Sequence, residues 1–188
     1  MSKPTADVSV RVAWADDAGA IADVQVRAWR ETYAGVVPVE VLDNLPADEF
    51  EAAWLQSVAR PREARQRVLV ALERATVRGF AAVAPSTDAD ANPATDGEVA
   101  EFVIDPDQRR LGHGSRLLHA VVDTMRSDKF THATWWVGAS DDDLRGFLVD
   151  QGWAADSAHR ELDLYGDGTV VAKQVRLHTD LTPADVGD

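Results

Sequence analysis

The sequence contains no cysteine among its 188 residues. A disulfide, a thiolate metal site and a cysteine nucleophile are therefore excluded. Five histidines are scattered without the spacing of metal ligands, so no metal site is predicted. The sequence also lacks a run of about 18 apolar residues and shows no signal-peptide pattern at its start. These absences predict a cytoplasmic protein with no membrane contact.

Basic residues are scarce: 19 Lys and Arg stand against 32 Asp and Glu, which gives a formal charge of −13. Nucleic-acid binding is not expected, because phosphate contacts need a basic surface. An acidic surface can attract a cationic substrate such as an amine, although it also serves solubility alone. The length and the 45% hydrophobic content predict one domain over residues 1–188, with loose tails at 1–7 and 179–188.

Hydrophobic periodicity predicts the element order β-α-α-β-β-β-α-β-α-β-β. The predicted strands are 8–12, 67–73, 77–84, 98–104, 131–139, 158–164 and 170–177. The predicted helices carry their apolar residues within 21–29, 50–58, 117–125 and 144–151; the second opens at Pro46 and the third within 109–114. The segment 85–97 is rich in Ser, Thr, Asp, Asn, Pro and Gly and has no apolar anchor, so we predict a mobile loop.

The stretch Arg109-Arg110-Leu111-Gly112-His113-Gly114 lies between the fourth predicted strand and an amphipathic helix. Glycines let the backbone approach a ligand closely, and a helix N-terminus favours a phosphate. The arginines add positive charge, so this chemistry suggests a pyrophosphate site. A glycine pair also serves simple turns and helix caps. A dinucleotide fingerprint would need a third glycine at Leu117, and a P-loop would need a following Lys-Ser/Thr, which weakens the prediction of a nucleotide-binding α/β protein.

A strand, Asp-Pro and then Arg-x-x-Gly-x-Gly at the start of a helix resembles the acetyl-CoA motif of the GNAT superfamily of N-acetyltransferases. The resemblance implies an α/β (α+β) fold with a mixed, mostly antiparallel central sheet of about seven strands flanked by about four helices. It implies an acetyl-CoA-dependent N-acetyltransferase that acts on a primary amine of a small molecule or protein, with a homodimer as a possible assembly. The alternative is a non-catalytic acyl-CoA-binding sensor or scaffold domain.

The resemblance also implies which residues bind the cofactor acetyl-CoA. The strand edge at Phe102, Val103 and Ile104 would pair with pantetheine, and a backbone N–H around Val103 would stabilise the oxyanion. The pyrophosphate is expected at the motif. The complete predicted cofactor set is Phe102, Val103, Ile104, Arg109, Arg110, Leu111, Gly112, His113, Gly114, Ser115 and Phe147.

The segment from Trp29 through Tyr33, Gly35 and Pro38 resembles the Trp…Tyr-x-Gly-x-x-Pro segment that walls the acceptor site in GNAT proteins. Trp29, Tyr33 and Trp136 are therefore the predicted substrate-binding residues. Tyr33 could equally anchor a helix–loop corner by packing alone.

Two glutamates on the fourth strand, Glu98 and Glu101, are the candidates for the general base. Regular strand alternation would put them on opposite faces. Glu98 is preferred, because a base-bearing strand glutamate occurs at that distance from the motif in several family members. The chain departs from the family at Leu148, where many members carry the tyrosine that acts as general acid. Asp141 stands where an asparagine is frequent, which is a milder change.

Overall fold

The computed structural model of the chain describes residues 7–164 and 166–182. Its strands form a sheet in the order β1-β2-β3-β4-β5-β7-β6. The strands are β1 Val8–Val12, β2 Arg67–Glu73, β3 Thr76–Pro85, β4 Asp96–Ile104, β5 His132–Gly138, β6 Ala154–Asp163 and β7 Val171–Asp180. The pairs β1–β2, β2–β3, β5–β7 and β6–β7 are antiparallel, whereas β4 and β5 run parallel from Asp96↔His132 to Val99↔Trp135. The prediction of a mixed, mostly antiparallel sheet of about seven strands is confirmed.

The described chain has five α-helices rather than the predicted four. They are α1 Ala18–Thr32, α2 Val39–Asp43, α3 Ala47–Ala59, α4 His113–Ser127 and α5 Asp142–Asp150. The additional helix, α2, is a single short turn after Pro38 that buries only Leu42, too short to show an apolar period.

The two last strands are longer than predicted. β6 begins at Ala154 because a register shift between Ala155 and His159 lets the pairing with β7 continue past Ser157, whose φ is +68°. β7 reaches Asp180 and Leu181 is buried, so the predicted loose tail from residue 179 was wrong over its first residues. Residues 183–188 of this tail lie outside the described residues. Residues 1–6 of the predicted N-terminal tail also lie outside them.

The chain divides into two compact units, Met1–Ala84 with Glu101–Asp123 and Pro85–Ala100 with Thr124–Asp188. In the first unit, α1 and β1 to β3 enclose a core of Ala13, Ile21, Val24, Val68, Val70, Leu72, Val77, Phe80 and Ala82. Trp54 of α3 packs against this core, with its ring edge to face with Phe80 and the two ring centroids 4.9 Å apart. Its Nε1–H donates a hydrogen bond to Gln25 Oε1 at 2.6 Å. The buried side-chain oxygen of Gln25 thus has a partner.

In the second unit, β5, β7 and α5 each carry buried apolar side chains, among them Trp135, Leu177 and Leu148. The rings of Trp135 and Trp153 meet edge to face, with their centroids 5.8 Å apart. An aromatic pair of this geometry contributes about 0.5–1.5 kcal/mol beyond the burial of its area.

Charged groups hold the loop between β3 and β4, which the sequence predicted to be mobile. Arg176 of β7 donates to Asp88 at 2.9 Å and to Asp90 at 2.8 and 2.7 Å. It also donates to Asp156 at 2.7 Å, and the indole N–H of Trp136 lies 3.1 Å from both carboxylate oxygens of Asp88. Ion pairs thus anchor a loop that the sequence predicted to be mobile.

Gly79, inside β3, lets the end of β4 approach closely. A Cβ at this position would lie 2.7 Å from the Val103 carbonyl oxygen and 2.6 Å from Ile104 Cδ1. Gly79→Ala should therefore displace β4 where the motif begins and destabilise the protein by about 1–3 kcal/mol, the usual cost of overpacking. Urea unfolding checks this, with Gly146→Ala as the control because a Cβ there meets nothing within 4 Å. Equal stability of Gly79→Ala and wild type would contradict the close approach.

Candidate active site

The glycine motif turns the chain from β4 into α4 through two residues in the left-handed region. Arg110 has φ +61° and Gly112 φ +84°, and the helix begins at His113. A side chain at Gly112 would be strained by its backbone conformation. Gly114 differs, since its Cβ would meet only Ile104 Cγ1 at 3.9 Å. The protein's own packing therefore leaves room at Gly114, beside the amides of the helix N-terminus.

Several arginines lie around this turn. Arg109 forms an ion pair with Glu31 at the end of α1. The Arg116 guanidinium of α4 lies over Gly112, with Nη1 2.9 Å from the position of a Cβ there. Arg109 and Arg110 are exposed. Together with the positive end of the helix dipole, these cations make the turn suitable for an anion.

A buried aspartate fixes the start of the turn. Asp105 is only 4% exposed; it accepts a hydrogen bond from Arg27 Nη2 at 2.7 Å, and its own N–H donates to the Arg78 carbonyl oxygen at 2.8 Å. Burial alone would raise the pKa of Asp105, but the Arg27 guanidinium outweighs it and lowers this pKa. The carboxylate is thus held ionised at the point where β4 ends.

The remaining predicted cofactor residues of the first unit differ in exposure. Leu111 is exposed, while Ser115 and the strand residues Phe102, Val103 and Ile104 are half-buried. The side chain of Val103 packs against the core of this unit. The imidazole of His113 is buried and its pKa is lowered by burial, so only its backbone N–H is suited to a phosphate.

Glu101 is the most perturbed carboxylate of the first unit. It is half-buried on β4, and burial raises its pKa from 4.5 to about 7. Among the described residues it has neither a hydrogen-bond donor nor an ion-pair partner. Among the described residues, every fully buried side-chain oxygen has a hydrogen-bond partner. Because the Glu101 carboxylate has none, its oxygens are at least partly exposed to solvent. A reachable carboxylate that titrates near pH 7 is suited to proton transfer.

Glu98, the glutamate that the sequence favoured, lies in the second unit and has different neighbours. Its Oε2 accepts weakly from the Thr87 backbone N–H at 3.4 Å. Burial raises the pKa of Glu98, and the nearby Asp88 carboxylate raises it further, while the Thr87 N–H and Arg160 oppose them. Glu98 thus belongs to the charged group that holds the loop after β3.

The two predicted acceptor residues of the first unit lie side by side at the end of α1. The rings of Trp29 and Tyr33 meet edge to face at 5.7 Å, and Trp29 also meets Phe50 of α3 at 5.2 Å. Burial raises the pKa of the Tyr33 phenol, and the Glu101 carboxylate raises it further. The charge of Glu101 thus acts on the Tyr33 phenol, whereas Trp29 is largely occupied by packing.

In the second unit, Trp136 and Phe147 are both half-buried. The Trp136 indole N–H is used by Asp88, and the Arg160 guanidinium lies over its ring at 4.4 Å. Its role in substrate binding stays a prediction, as does the cofactor role of Phe147. Leu148, where a tyrosine acid was expected from the family, is fully buried. Leucine cannot donate a proton, so this position supplies no general acid.

Sequence reasoning missed Arg27, Glu31, Arg116 and the positioning role of Asp105. Arg116 could have been found, since it lies on the first turn of the predicted motif helix. The partners of Arg109 and Asp105 lie 78 positions away along the chain in α1, and no local pattern reports such a pairing. Within residues 7–164 and 166–182, no group of three or more His, Asp or Glu side chains could hold a metal ion, and no helix could cross a membrane.

Residues 26–153 match the model of the acetyltransferase (GNAT) family, and the chain belongs to that family. This match covers the second half of α1, the glycine motif and α5, and it confirms the predicted family and the predicted class of enzyme, an acyltransferase.

Among curated proteins, the chain is 29% identical over 130 residues to the uncharacterized N-acetyltransferase YuaI of Bacillus subtilis (strain 168), covering 69% of this chain and 71% of that one. Among solved structures, it resembles the PaiA N-acetyltransferase of Thermoplasma acidophilum in complex with coenzyme A, with a TM-score of 0.71, 16% identity and coverage of 92% and 98%. An N-acetyltransferase of Staphylococcus aureus Mu50 gives a TM-score of 0.68 at 16% identity, with coverage of 93% and 99%. These structural likenesses support the fold.

Proposed function

We propose that this protein transfers the acetyl group of acetyl-CoA to a primary amine, with Glu101 as the general base. The observation that carries the proposal is Glu101 itself. Its carboxylate has no partner within the described chain, has a pKa of about 7, and lies on the strand that leads into the glycine motif. Membership of the acetyltransferase family supplies the reaction class.

The residues present fit acetyl-CoA as the co-substrate. The open space at Gly114, the amides at the start of α4 and the exposed arginines suit a pyrophosphate. The related PaiA enzyme was solved with coenzyme A, which supports the same ligand here. Arg109, Arg110 and Gly114 would hold the pyrophosphate, and the backbone of Phe102–Ile104 would hold pantetheine. The bound thioester supplies an activated acetyl group.

Glu101 would remove the proton from the acceptor. An alkylamine with a pKa near 10.4 is almost fully protonated at neutral pH and has no lone pair with which to attack. A carboxylate with a pKa of about 7 is half ionised near neutrality and can accept that proton directly or through a water. The Val103 N–H, two residues along β4, would stabilise negative charge on the acetyl oxygen. The CoA thiol has a pKa of about 8.5, so its thiolate is a weak base and a good leaving group.

A screen of amines tests the proposal by following CoA release from acetyl-CoA, with amine-free samples as the control for hydrolysis. We expect amine-dependent release for at least one class of cationic amine. The buried Leu148 favours the competing function, a non-catalytic acyl-CoA-binding domain. Calorimetric binding of acetyl-CoA without release by any small or peptide amine would support that function and contradict ours.

The ion pair between Arg109 and Glu31 gives a further prediction about the co-substrate. The Glu31 carboxylate competes with a pyrophosphate for the same guanidinium, and both side chains are about half exposed. Exposed pairs contribute about 0.2–1 kcal/mol, so Glu31→Gln should tighten CoA binding up to about fivefold. Isothermal titration calorimetry measures this, with Glu40→Gln in α2 as the matched control. Weaker binding by Glu31→Gln would show that Glu31 orients Arg109 rather than competing for it.

A further inference from the structure

Two histidines of the second unit face each other across neighbouring strands. His132 stands at the start of β5 and His178 near the end of β7, and His132 Nε2 lies 3.1 Å from His178 Nδ1. The two ring centroids are 5.3 Å apart, and both side chains are half-buried. The two residues are 46 positions apart along the chain, so no local spacing of metal ligands could reveal the pair.

The ladder between β5 and β7 fixes the backbone of both histidines. His132 lies directly opposite Asp180, and His178 precedes Asp180 by two residues. Because alternate residues of a strand point to the same side, all three side chains share one face of the sheet. The Leu181 N–H donates to the Thr131 carbonyl oxygen at 2.8 Å, which continues the pairing past Asp180. The imidazoles are therefore carried by rigid strands rather than by a loop.

The surroundings of the pair are open and polar. Thr131, His132, His178, Asp180 and Thr182 line a surface depression of about 420 Å³, and none of these described residues is a Lys or an Arg. Asp180 accepts hydrogen bonds from the Thr182 N–H at 2.8 Å and from the Thr182 hydroxyl at 2.5 Å, both through Oδ1. Its negative charge lies on the face that carries the imidazoles, which favours the approach of a cation.

The distance between the two ring nitrogens is that of two ligands on one metal ion. Imidazole nitrogens bind Zn²⁺ at about 2.0–2.1 Å, so two of them lie about 3.3–3.4 Å apart in a tetrahedral shell and about 2.9 Å apart at a right angle. The observed 3.1 Å falls between these values. It also suits an N–H···N hydrogen bond, in which one ring donates and the other accepts. A metal ion would replace that shared proton, which moves to the other nitrogen of its own ring, and each ring would turn so that both lone pairs converge on the ion.

We propose that His132 and His178 form a binding site for a divalent transition metal ion such as Zn²⁺, Ni²⁺ or Cu²⁺. Imidazole ligands select these ions over Mg²⁺ and Ca²⁺, which prefer oxygen. Water fills the remaining positions, since the described residues hold no group of three or more His, Asp or Glu side chains that could bind a metal ion. With fewer protein ligands than a closed structural site, the ion is exchangeable. The site does not depend on the proposed acetyl transfer.

Calorimetric titration of untagged protein with Ni²⁺ tests the site. A large excess of Mg²⁺ in the buffer occupies the carboxylates of the acidic surface first. We expect one Ni²⁺ per chain. His132→Ala and His178→Ala should each weaken binding by about a hundredfold or more, at least the cost of losing an outer-shell partner, because a single imidazole remains. His159→Ala is the matched control, since it removes an exposed histidine of β6 and should bind Ni²⁺ as the wild type does.

Three results of this titration would overturn the site. They are a wild-type protein that binds no Ni²⁺, unchanged affinity in His132→Ala and His178→Ala, and an equal loss in His159→Ala, which would indicate scattered binding to surface histidines.

A second measurement needs no variant and is unaffected if one of them fails to fold. Pulsed electron paramagnetic resonance of the wild-type protein with one equivalent of Cu²⁺ counts the imidazoles bound to the ion. We expect two, because His132 and His178 present the nitrogens that lie 3.1 Å apart. A spectrum with one coordinated imidazole or none would contradict the proposal.

Discussion

Glu101→Gln should lower kcat by roughly a hundredfold or more, the usual scale of general base catalysis, and leave the affinity for acetyl-CoA nearly unchanged. Glutamine keeps the shape of the side chain but cannot accept the proton of the ammonium. The loss should shrink as the pH approaches the pKa of the amine, because free amine then forms without help. Steady-state kinetics and calorimetric titration with acetyl-CoA measure the two quantities.

Glu98→Gln is the matched control, since it makes the same change on the same strand. It should cost much less activity, because Glu98 belongs to the charged group around Asp88. A large loss in Glu98→Gln with a small one in Glu101→Gln would reverse the assignment and restore the preference that the sequence suggested.

The stability of Glu101→Gln separates catalysis from structure. The folded protein raises the pKa of Glu101 from 4.5 to about 7, so it binds that proton more tightly than the unfolded chain. The associated stability is present at low pH and is lost as the pH rises through about 7. Glu101→Gln should therefore raise the melting temperature at about pH 8 and do so less at about pH 5, while activity falls.

Gly114→Asp should weaken acetyl-CoA binding by on the order of a hundredfold and remove the rise in melting temperature that the ligand produces. The new side chain would fill the space beside the helix N-terminus and place a negative charge against the pyrophosphate. The free protein should fold normally, because a Cβ at Gly114 meets only Ile104 at 3.9 Å and an aspartate suits the start of a helix. Differential scanning calorimetry with and without acetyl-CoA measures both effects.

Gly114→Ala and Gly112→Ala complete this series. Alanine at Gly114 adds little bulk and no charge, so binding should fall far less than with aspartate. Alanine at Gly112, where φ is +84°, should instead destabilise the free protein by about 1 kcal/mol or more. Undiminished stabilisation of Gly114→Asp by acetyl-CoA would place the pyrophosphate elsewhere.

Local sequence signals predicted the fold well. The alternation in β1 and the helix start at the motif each depend on neighbouring residues. Asp141 caps α5, with its carboxylate accepting from the Leu144 N–H at 3.0 Å. The resemblance to the GNAT motif likewise predicted the family, because the motif residues are close together in the sequence.

The different surroundings of Glu98 and Glu101 could not be predicted from the sequence, because contacts between distant segments set them. Both glutamates lie on one strand, and only the fold shows that Glu101 lies near Tyr33 without a partner while Glu98 lies near Thr87 and Asp88. The anchoring of the loop after β3 was missed for the same reason. Arg176 lies 88 positions after Asp88, and no local sequence pattern indicates that the two side chains form an ion pair.

The pH dependence of kcat/KM tests the central claim, acetyl transfer with Glu101 as the base, most directly. With acetyl-CoA saturating and one accepted amine, the wild-type protein should show a rising limb with an apparent pKa of about 7, the pKa of Glu101. In Glu101→Gln this limb should vanish, leaving only a rise that follows the amine's own pKa. A limb near pH 7 that persists unchanged in Glu101→Gln would contradict the assignment of the base.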